Sequence, residues 1–111
     1  MTLQDLITQL NLKPLTGGQF ERVSPTAGYA SDLLSCVMAG AQKGAVWVTL
    51  QAHTNIVAVA ALLEMSAVII TESAQPDAAT LDKARQEGII LLSTDKPTFE
   101  VVGRLWEMGL R

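Results

Sequence analysis

The length of the chain, 111 residues, suffices for one hydrophobic core and excludes a second, so a single domain over residues 1–111 is expected. Hydrophobic residues make up 49% of the chain and charged residues 17%, which is the opposite of the balance in a disordered protein. The formal net charge of -3 provides no positive field to attract a phosphate backbone, so nucleic acid is not expected as a partner.

The amino-terminal part of the chain alternates short elements with turns. Apolar residues at helical spacing follow Thr2, a candidate N-cap, and predict a first helix that ends near Asn11. Small residues and prolines then break the pattern. They predict a brief strand and turn over residues 15–18, a short strand over 20–24 and a tight loop over 26–28.

The rest of the chain alternates regularly between helix and strand. A helix capped by Ser31 or Asp32 and ending near Gly40 comes first. Three strands that are apolar on both faces then alternate with three helices. The strands are predicted over residues 45–50, 67–71 and 89–93, and the helices over residues 55–65, 77–87 and 97–108. This alternation predicts right-handed crossovers and therefore an α/β fold with a parallel sheet.

Two of the helices carry notable apolar patterns. In the last helix one stripe holds Phe99, Val102, Leu105 and Trp106, which predicts a buried face. The helix over residues 55–65 is apolar almost all the way round, so it must be covered on more than one side. The second cover is either another subunit, giving a homo-oligomer, or loops of the same chain.

Neither a membrane span nor a signal peptide is expected. The longest apolar run, residues 56–63, stops at Glu64, whereas about 20 apolar residues are needed to cross a bilayer. The first residues contain Asp5 and lack a basic segment or cleavage site. The single cysteine, Cys36, cannot form an internal disulfide and lies in an apolar helical stripe, where we expect a small core residue. A cytoplasmic protein is the expectation.

Polar residues cluster directly after the three predicted strands. They are Gln51, His53, Thr54 and Asn55 after the first, Thr71 and Glu72 after the second, and Ser93, Thr94 and Asp95 after the third. The carboxyl ends of parallel strands meet at one edge of the sheet, where ligands bind, and the loop over residues 26–32 could close over it. The alternative is that these side chains only cap the helices that follow.

No motif in the sequence supplies catalytic chemistry. The sequence contains no GxxxxGK[ST], no GxGxxG and no GxSxG. His53 is the only histidine, and a single histidine with a single cysteine does not assemble a metal site. No metal or cofactor is therefore expected. Backbone amides at the helix starts or in the loop over residues 26–32 could still hold an anion, including a nucleotide phosphate.

Four segments together resemble the DRTGG domain family, which is related to the N-terminal domain of HPr kinase/phosphorylase. They are TAGYASDLLSCVM (26–38), VWVTLQAHTNIVAVA (46–60), AVIIT (67–71) and LLSTDKPTFEVVGRL (91–105). The resemblance runs from about Leu15 to the end and points to a stand-alone member. It implies a three-layer α/β/α sandwich, similar to that kinase domain, that oligomerises and acts in regulation or scaffolding. Proteins encoded beside such members, hydrogenases and signalling kinases, are implied as partners.

The chain departs from the family at its name-giving stretch. Glu21 precedes Arg22 where the family has an aspartate, and Ala27 and Gly28 stand in place of the glycine pair. These changes mark either a lost site or a tolerated variation. The phosphate-binding loop of the kinase lies in a separate domain of that enzyme, and this sequence has no such loop, so kinase activity is not implied.

Three functions remain open from the sequence. The first is a non-catalytic, oligomeric module that senses a small anionic ligand, such as a nucleotide, at the carboxyl edge of the sheet. Its candidate ligand-binding residues are Thr26, Gly28, Tyr29, Asp32, His53, Asn55, Thr94 and Asp95. The second is a protein-interaction subunit that uses the apolar helix. The third is a small phosphotransferase or hydrolase in which Asp32 or Asp95 orients His53.

Overall fold

A computed structural model describes residues 1–111 as a five-stranded sheet with helices on both faces. The helices are α1 Leu3–Leu10, α2 Leu34–Gly40, α3 Asn55–Leu62, α4 Ala78–Glu87 and α5 Thr98–Glu107. The strands are β1 Lys13–Pro14, β2 Ala27–Ala30, β3 Ala45–Thr49, β4 Ala67–Ile70 and β5 Leu91–Ser93. A short 3₁₀ helix, Phe20–Arg22, lies between β1 and β2.

The strands lie in the order β1-β5-β4-β3-β2. Strands β2 to β5 are parallel and successive neighbours, whereas β1 pairs with β5 in the antiparallel sense. Successive crossovers of one hand place α2, α3 and α4 on one face of the sheet. The other face packs against α1 and α5, which gives two hydrophobic clusters divided by the sheet. The predicted three-layer α/β/α sandwich with a mostly parallel sheet is confirmed.

Helix α1 is held at both ends by side chains. Thr2 and Asp5 form a reciprocal capping box at its start. At its end, the carbonyl oxygens of Gln9 and Leu10 accept hydrogen bonds of 2.8 Å from Arg104 and Lys96 respectively. Two cations therefore offset the negative end of the helix dipole, and they come from α5 and the loop before it.

Three amino-terminal predictions are wrong in type or position. The strand predicted over residues 15–18 begins earlier and contains only Lys13 and Pro14, because the ladder with β5 is two residues long. Residues 20–24 contain the 3₁₀ helix instead of a strand. The loop predicted over residues 26–28 begins the edge strand β2, because pairing with β3 imposes an extended backbone on small residues that seldom form strands.

The start of α2 also differs from expectation. Its N-cap is Leu33, which makes no side-chain cap, because the side chains of Ser31 and Asp32 are bonded elsewhere. Cys36 is exposed on this helix, so the expectation of a core residue is wrong. Val37 is the only buried residue of α2, since the helix touches the sheet along one narrow face.

The apolar helix α3 lies between α2 and α4. Its residues Ile56, Val57 and Ala60 are fully buried, whereas Leu62 is 67% exposed at its end. Neighbouring helices of the same chain thus supply the second cover, and α3 needs no other subunit to bury it. The buried stripe of α5 also differs from expectation. It contains Val101 and Leu105, while Phe99 and Trp106, which were expected inside, are exposed.

Substitution of glycine by alanine should have opposite effects on the unfolding free energy at two positions. A Cβ atom at Gly40 would lie 2.6 Å from Tyr29 Oη, so Gly40→Ala should displace the Tyr29 ring and lower the unfolding free energy by about 1–3 kcal/mol. Gly103 lies inside α5 with no atom within 4 Å of an added Cβ, so Gly103→Ala should raise it by about 0.5–1 kcal/mol. Urea denaturation measures both values, and a stabilised Gly40→Ala would contradict this packing.

Candidate functional site

The carboxyl ends of β2, β3, β4 and β5 lie at one edge of the sheet, as parallel pairing requires. The loops that follow β2, β3 and β4 lead to helices on one face, whereas the loop after β5 leads to α5 on the other. Adjacent loops therefore diverge only between β4 and β5. In open parallel sheets such a topological switch point is where a ligand crevice forms.

A polar cleft lies at this switch point. It has a volume of about 270 Å³, and none of the eight residues that line it is hydrophobic. They are Asn11 before β1, Lys13 in β1, Ser73 and Gln75 after β4, and Ser93, Thr94, Asp95 and Lys96 at the end of β5. We call this feature the switch-point cleft.

The two loops beside the switch-point cleft are joined by the backbone. Glu72 and Ser73 both have a φ of 61°, a conformation that is uncommon outside glycine. This turn lets their N–H groups donate to the carbonyl oxygens of Lys96 and Thr94, at 3.0 and 3.1 Å. The Glu72 carboxylate also accepts a 2.9 Å hydrogen bond from the N–H of Thr98, at the start of α5. The walls of the cleft are thus fixed relative to each other.

The charges of the switch-point cleft favour an anion. Lys13 and Lys96 contribute two cations and Asp95 one carboxylate, in a protein whose net charge is -3. The ion pairs of the structure all involve other residues. Lys96 Nζ already donates to the carbonyl oxygen of Leu10, at 2.8 Å. Lys13 therefore has the freer ammonium group.

Five of the eight predicted site residues lie at this edge, in two separate regions. Thr94 and Asp95 line the switch-point cleft. Asp32, His53 and Asn55 lie beyond the ends of β2 and β3, and β3 is two strands away from β5, roughly 10 Å across the sheet. Six further residues line the cleft that were not predicted as site residues: Asn11, Lys13, Ser73, Gln75, Ser93 and Lys96. Part of the cleft could have been predicted from the polar residues that follow β4 and from the lysine that follows Asp95.

Asp32 has a structural role at the end of β3. Its Oδ1 accepts hydrogen bonds of 2.8 Å from the Thr49 hydroxyl and from the N–H of Leu50. Its carbonyl oxygen accepts a further bond from the side-chain amide of Gln51. Thr49 is fully buried, so Asp32 satisfies a polar group inside the fold.

Three predicted residues do not belong to the carboxyl edge. Thr26 precedes β2, at the opposite edge, and its hydroxyl donates to the Lys43 carbonyl oxygen. Gly28 lies within β2, against Leu110. Tyr29 packs on α2, where its hydroxyl donates to the Cys36 carbonyl oxygen. Their placement at the edge was wrong because residues 26–28 are not a closing loop.

His53 and Asn55 are exposed near the start of α3. The side chain of neither residue makes a hydrogen bond within the protein, and Asp32 and Asp95 do not contact His53. Asp77, the N-cap of α4, directs its carboxylate hydrogen bonds to Thr80 and makes none with His53. No carboxylate therefore orients the imidazole for proton transfer.

Asp77 makes the stability of the protein depend on pH. Its Oδ1 accepts hydrogen bonds from the Thr80 N–H and hydroxyl, both 2.8 Å. These bonds, the backbone one foremost, lower the pKa of Asp77 below its ordinary value of 3.8. A carboxyl group with a lowered folded-state pKa stabilises the fold above pH 3.8 and loses that effect as the pH falls through the lowered value. Asp77→Ala should therefore lower Tm at pH 7.

The difference in Tm between Asp77→Ala and the unaltered protein should shrink as the pH is lowered from 5 to 2. Thermal unfolding followed by circular dichroism measures it. Asp82→Ala is the matched control on the same helix, because that carboxylate pairs only with exposed Arg85. A difference that stays constant down to pH 2 would show that Asp77 does not act through its charge.

No group of three or more histidine, cysteine, aspartate or glutamate side chains is arranged to hold a metal ion. In addition, the helices are all too short or too polar to cross a membrane.

Comparison with known proteins identifies the fold. No family model and no curated protein matches the sequence. Among solved structures, the chain is similar to the CBS and DRTGG domains of the regulatory region of Clostridium perfringens pyrophosphatase, which were crystallised with the activator diadenosine tetraphosphate. The TM-score is 0.76 at 15% sequence identity, over 92% of this chain. The chain has the fold of a DRTGG domain. It spans 44% of the crystallised chain, and the predicted resemblance is confirmed at the level of the fold.

The name-giving stretch of the DRTGG fold lies outside the switch-point cleft in this chain. Glu21 and Arg22 belong to the exposed 3₁₀ helix, and Ala27 is a buried residue of β2. None of these residues lines the cleft.

A second surface of the DRTGG fold is apolar. A groove of about 130 Å³ separates α5 from the edge strand β2, and Gly28, Ala30, Val102 and Trp106 are among its lining residues. The patch continues along the outside of α5 to Phe99, which is 87% exposed, past Trp106, which is 57% exposed. We call the groove and this helix face the α5 surface. Exposed aromatic residues at helical spacing typify contact surfaces.

Proposed function

We propose that this chain is a regulatory module that binds a small anionic ligand, such as a nucleotide or another phosphorylated compound, in the switch-point cleft. The observation that carries the proposal is the coincidence of the topological switch point with a cleft lined only by polar residues. Two ammonium groups against one carboxylate give that cleft a local positive charge. Hydroxyl and amide groups around them suit the oxygen atoms of such a ligand.

The regulatory part of the proposal is supported by the structural neighbour. The similar pyrophosphatase region is described as regulatory and was crystallised with a nucleotide activator. A module of this kind acts by binding its ligand in one conformation more tightly than in another. The backbone bonds between the two cleft loops are contacts that such a ligand would reinforce.

Binding is favoured over catalysis by the placement of the titratable side chains. His53 lacks an orienting carboxylate, and Asp32 is engaged by Thr49 and Leu50. A phosphotransferase or hydrolase that uses His53 would need such a pair within hydrogen-bond reach. We therefore rank that function below ligand binding, and an effect of His53→Ala on any turnover would reverse this order.

A titration tests the proposed function. The ¹⁵N-labelled protein is titrated with inorganic phosphate, pyrophosphate and adenosine 5′-monophosphate, and the amide resonances of residues 73–75 and 93–96 should shift in a saturable manner. Lys13→Gln should weaken binding about tenfold, because a charge-assisted bond is lost. Lys43→Gln is the matched control, since Lys43 is at the opposite edge of the sheet and pairs with Glu64. No shift at 10 mM of any of these anions would reject the proposal.

The α5 surface supports a second function, self-association into a homodimer. Two exposed aromatic side chains offer roughly 150–250 Å² each when fully buried, which is a substantial part of the roughly 800 Å² per partner in a stable interface. The unpaired edge of β2 borders the same groove and could pair with a second β2. Glu107 and Arg111 lie on this surface and could form ion pairs between two copies.

Sedimentation velocity tests the self-association. The unaltered protein should sediment as a dimer at about 100 μM, and Phe99→Asp with Trp106→Asp should sediment as a monomer while keeping the circular dichroism of the folded chain. Leu62→Asp is the control, because Leu62 is also exposed, at 67%, but belongs to α3. A monomeric Leu62→Asp would place the interface on α3 instead, and a monomeric unaltered protein would reject a dimer altogether.

A further inference from the structure

The switch-point cleft differs from ordinary ligand pockets in having no apolar wall. Pockets that take organic ligands are lined mainly by hydrophobic and aromatic side chains. Here the eight lining residues are all polar or charged. The volume, about 270 Å³, also falls just below the roughly 300–1,000 Å³ that is usual for such pockets. A large or apolar group therefore gains little by entering it.

The aromatic side chains of the protein all lie away from this cleft. Trp47 is buried under α2 to α4, and Tyr29 packs on α2. Phe20 packs against the other cluster, while Phe99 and Trp106 belong to the α5 surface. A nucleobase is held in proteins largely by stacking on aromatic or guanidinium planes. No such plane lines the switch-point cleft.

The polar groups of the cleft instead match a phosphate ester that carries hydroxyl groups. The Lys13 ammonium and the hydroxyls of Ser73 and Ser93 make no side-chain bond within the protein and can donate to phosphate oxygens. The Thr94 hydroxyl oxygen accepts the N–H of Lys96 at 3.2 Å, which leaves its proton to donate. Asp95 forms no ion pair and can only accept, so it suits a ligand hydroxyl and opposes a second phosphate beside it.

We propose that the ligand of the switch-point cleft is a sugar or polyol monophosphate, recognised through its phosphate and hydroxyl groups and without contact to a base. This inference rests on the proposed function, since it specifies the ligand class of the same cleft. Lys13 is the main phosphate contact and Asp95 accepts from a hydroxyl of the ligand. A nucleotide should then bind with the same affinity as its ribose phosphate part alone.

The experiment compares three probes on the whole ¹⁵N-labelled chain: ribose 5-phosphate, adenosine 5′-monophosphate and ribose. The two phosphates should bind with dissociation constants within threefold of each other, with shifts in residues 73–75 and 93–96, and ribose should cause none. Asp95→Asn should weaken ribose 5-phosphate and leave inorganic phosphate unchanged or bound more tightly. Lys13→Gln should weaken every phosphate compound, and Lys43→Gln none.

The outcomes separate this inference from the proposed function. Adenosine 5′-monophosphate binding more than threefold more tightly than ribose 5-phosphate would overturn the inference, because the base would then contribute, while an anion site would stand. Ribose binding as tightly as its phosphate would overturn both the phosphate contact and the role of Lys13. Absence of binding by ribose 5-phosphate and adenosine 5′-monophosphate at 10 mM would overturn the inference. If inorganic phosphate and pyrophosphate also failed to bind, the proposed function would be rejected with it.

Discussion

Trp47→Ala should lower the unfolding free energy by about 3–5 kcal/mol, the usual cost of removing a large buried aromatic side chain. Trp47 is the largest fully buried residue and lies in β3, an interior strand of the sheet, among the side chains of α2, α3 and α4. Its indole N–H also donates to the Ser31 carbonyl oxygen, at 2.9 Å, and so holds the loop between β2 and α2. A domain of this size is stable by only about 5–15 kcal/mol, so the variant should be close to unfolding at 37 °C.

Two further variants serve as comparisons for Trp47→Ala, one at the same position and one at the exposed tryptophan. Trp47→Phe keeps most of the ring and loses the donor, and should cost about 1–2 kcal/mol. Trp106→Ala removes the other tryptophan, which is 57% exposed and contacts Arg111, and should cost less than about 1 kcal/mol. Urea denaturation followed by far-ultraviolet circular dichroism measures all three. Equal losses in Trp47→Ala and Trp106→Ala would contradict the burial described here.

Asp32→Ala should lower the unfolding free energy by about 1–3 kcal/mol, because it removes the acceptor of a buried hydroxyl. Thr49 is fully buried, and its hydroxyl donates to Asp32 at 2.8 Å. The N–H of Leu50 loses its partner in the same variant. Asp32→Asn retains a carbonyl oxygen at the same position and should recover most of the loss.

A double-mutant cycle decides whether Asp32 acts through Thr49. Thr49→Val removes the hydroxyl with little change of shape, so Asp32→Ala should cost less in the Thr49→Val background than in the unaltered protein. Strictly additive losses would show that the bond contributes nothing. Ligand titration of Asp32→Asn adds an independent readout, since a residue outside the switch-point cleft should leave phosphate affinity unchanged.

The part of the fold that could be predicted from sequence is the part with continuous β-branched runs. Strands β3, β4 and β5 are buried on both faces, so their residues are apolar except Thr49 and Ser93, which end β3 and β5. Strand β2 was missed because alanine and glycine have low strand propensity, and only its pairing with β3 makes it extended. Phe99 and Trp106 were misplaced because spacing alone cannot tell which of two adjacent stripes on α5 faces the sheet.

Part of the candidate site could be predicted from the sequence in the same way. Thr94 and Asp95 were found because they follow a recognisable buried strand. The position of the cleft, however, depends on α5 crossing to the opposite face from α4, which is a property of tertiary packing. Asn11 and Lys13 come from the other end of the chain and carried no local signal for a shared site.

During folding, the cleft is complete only after the antiparallel strand β1 has paired with β5. Lys13 and Pro14 pair with Ser93 and Leu92, so one wall of the cleft closes a loop through most of the chain. Closing it brings together the beginning and the end of the polypeptide, whereas each parallel pair joins neighbouring units. A partly folded chain then has no complete cleft, and it should have no affinity for the proposed ligand. Occupancy would accordingly report complete folding, and the ligand would protect the whole domain against heat and proteases.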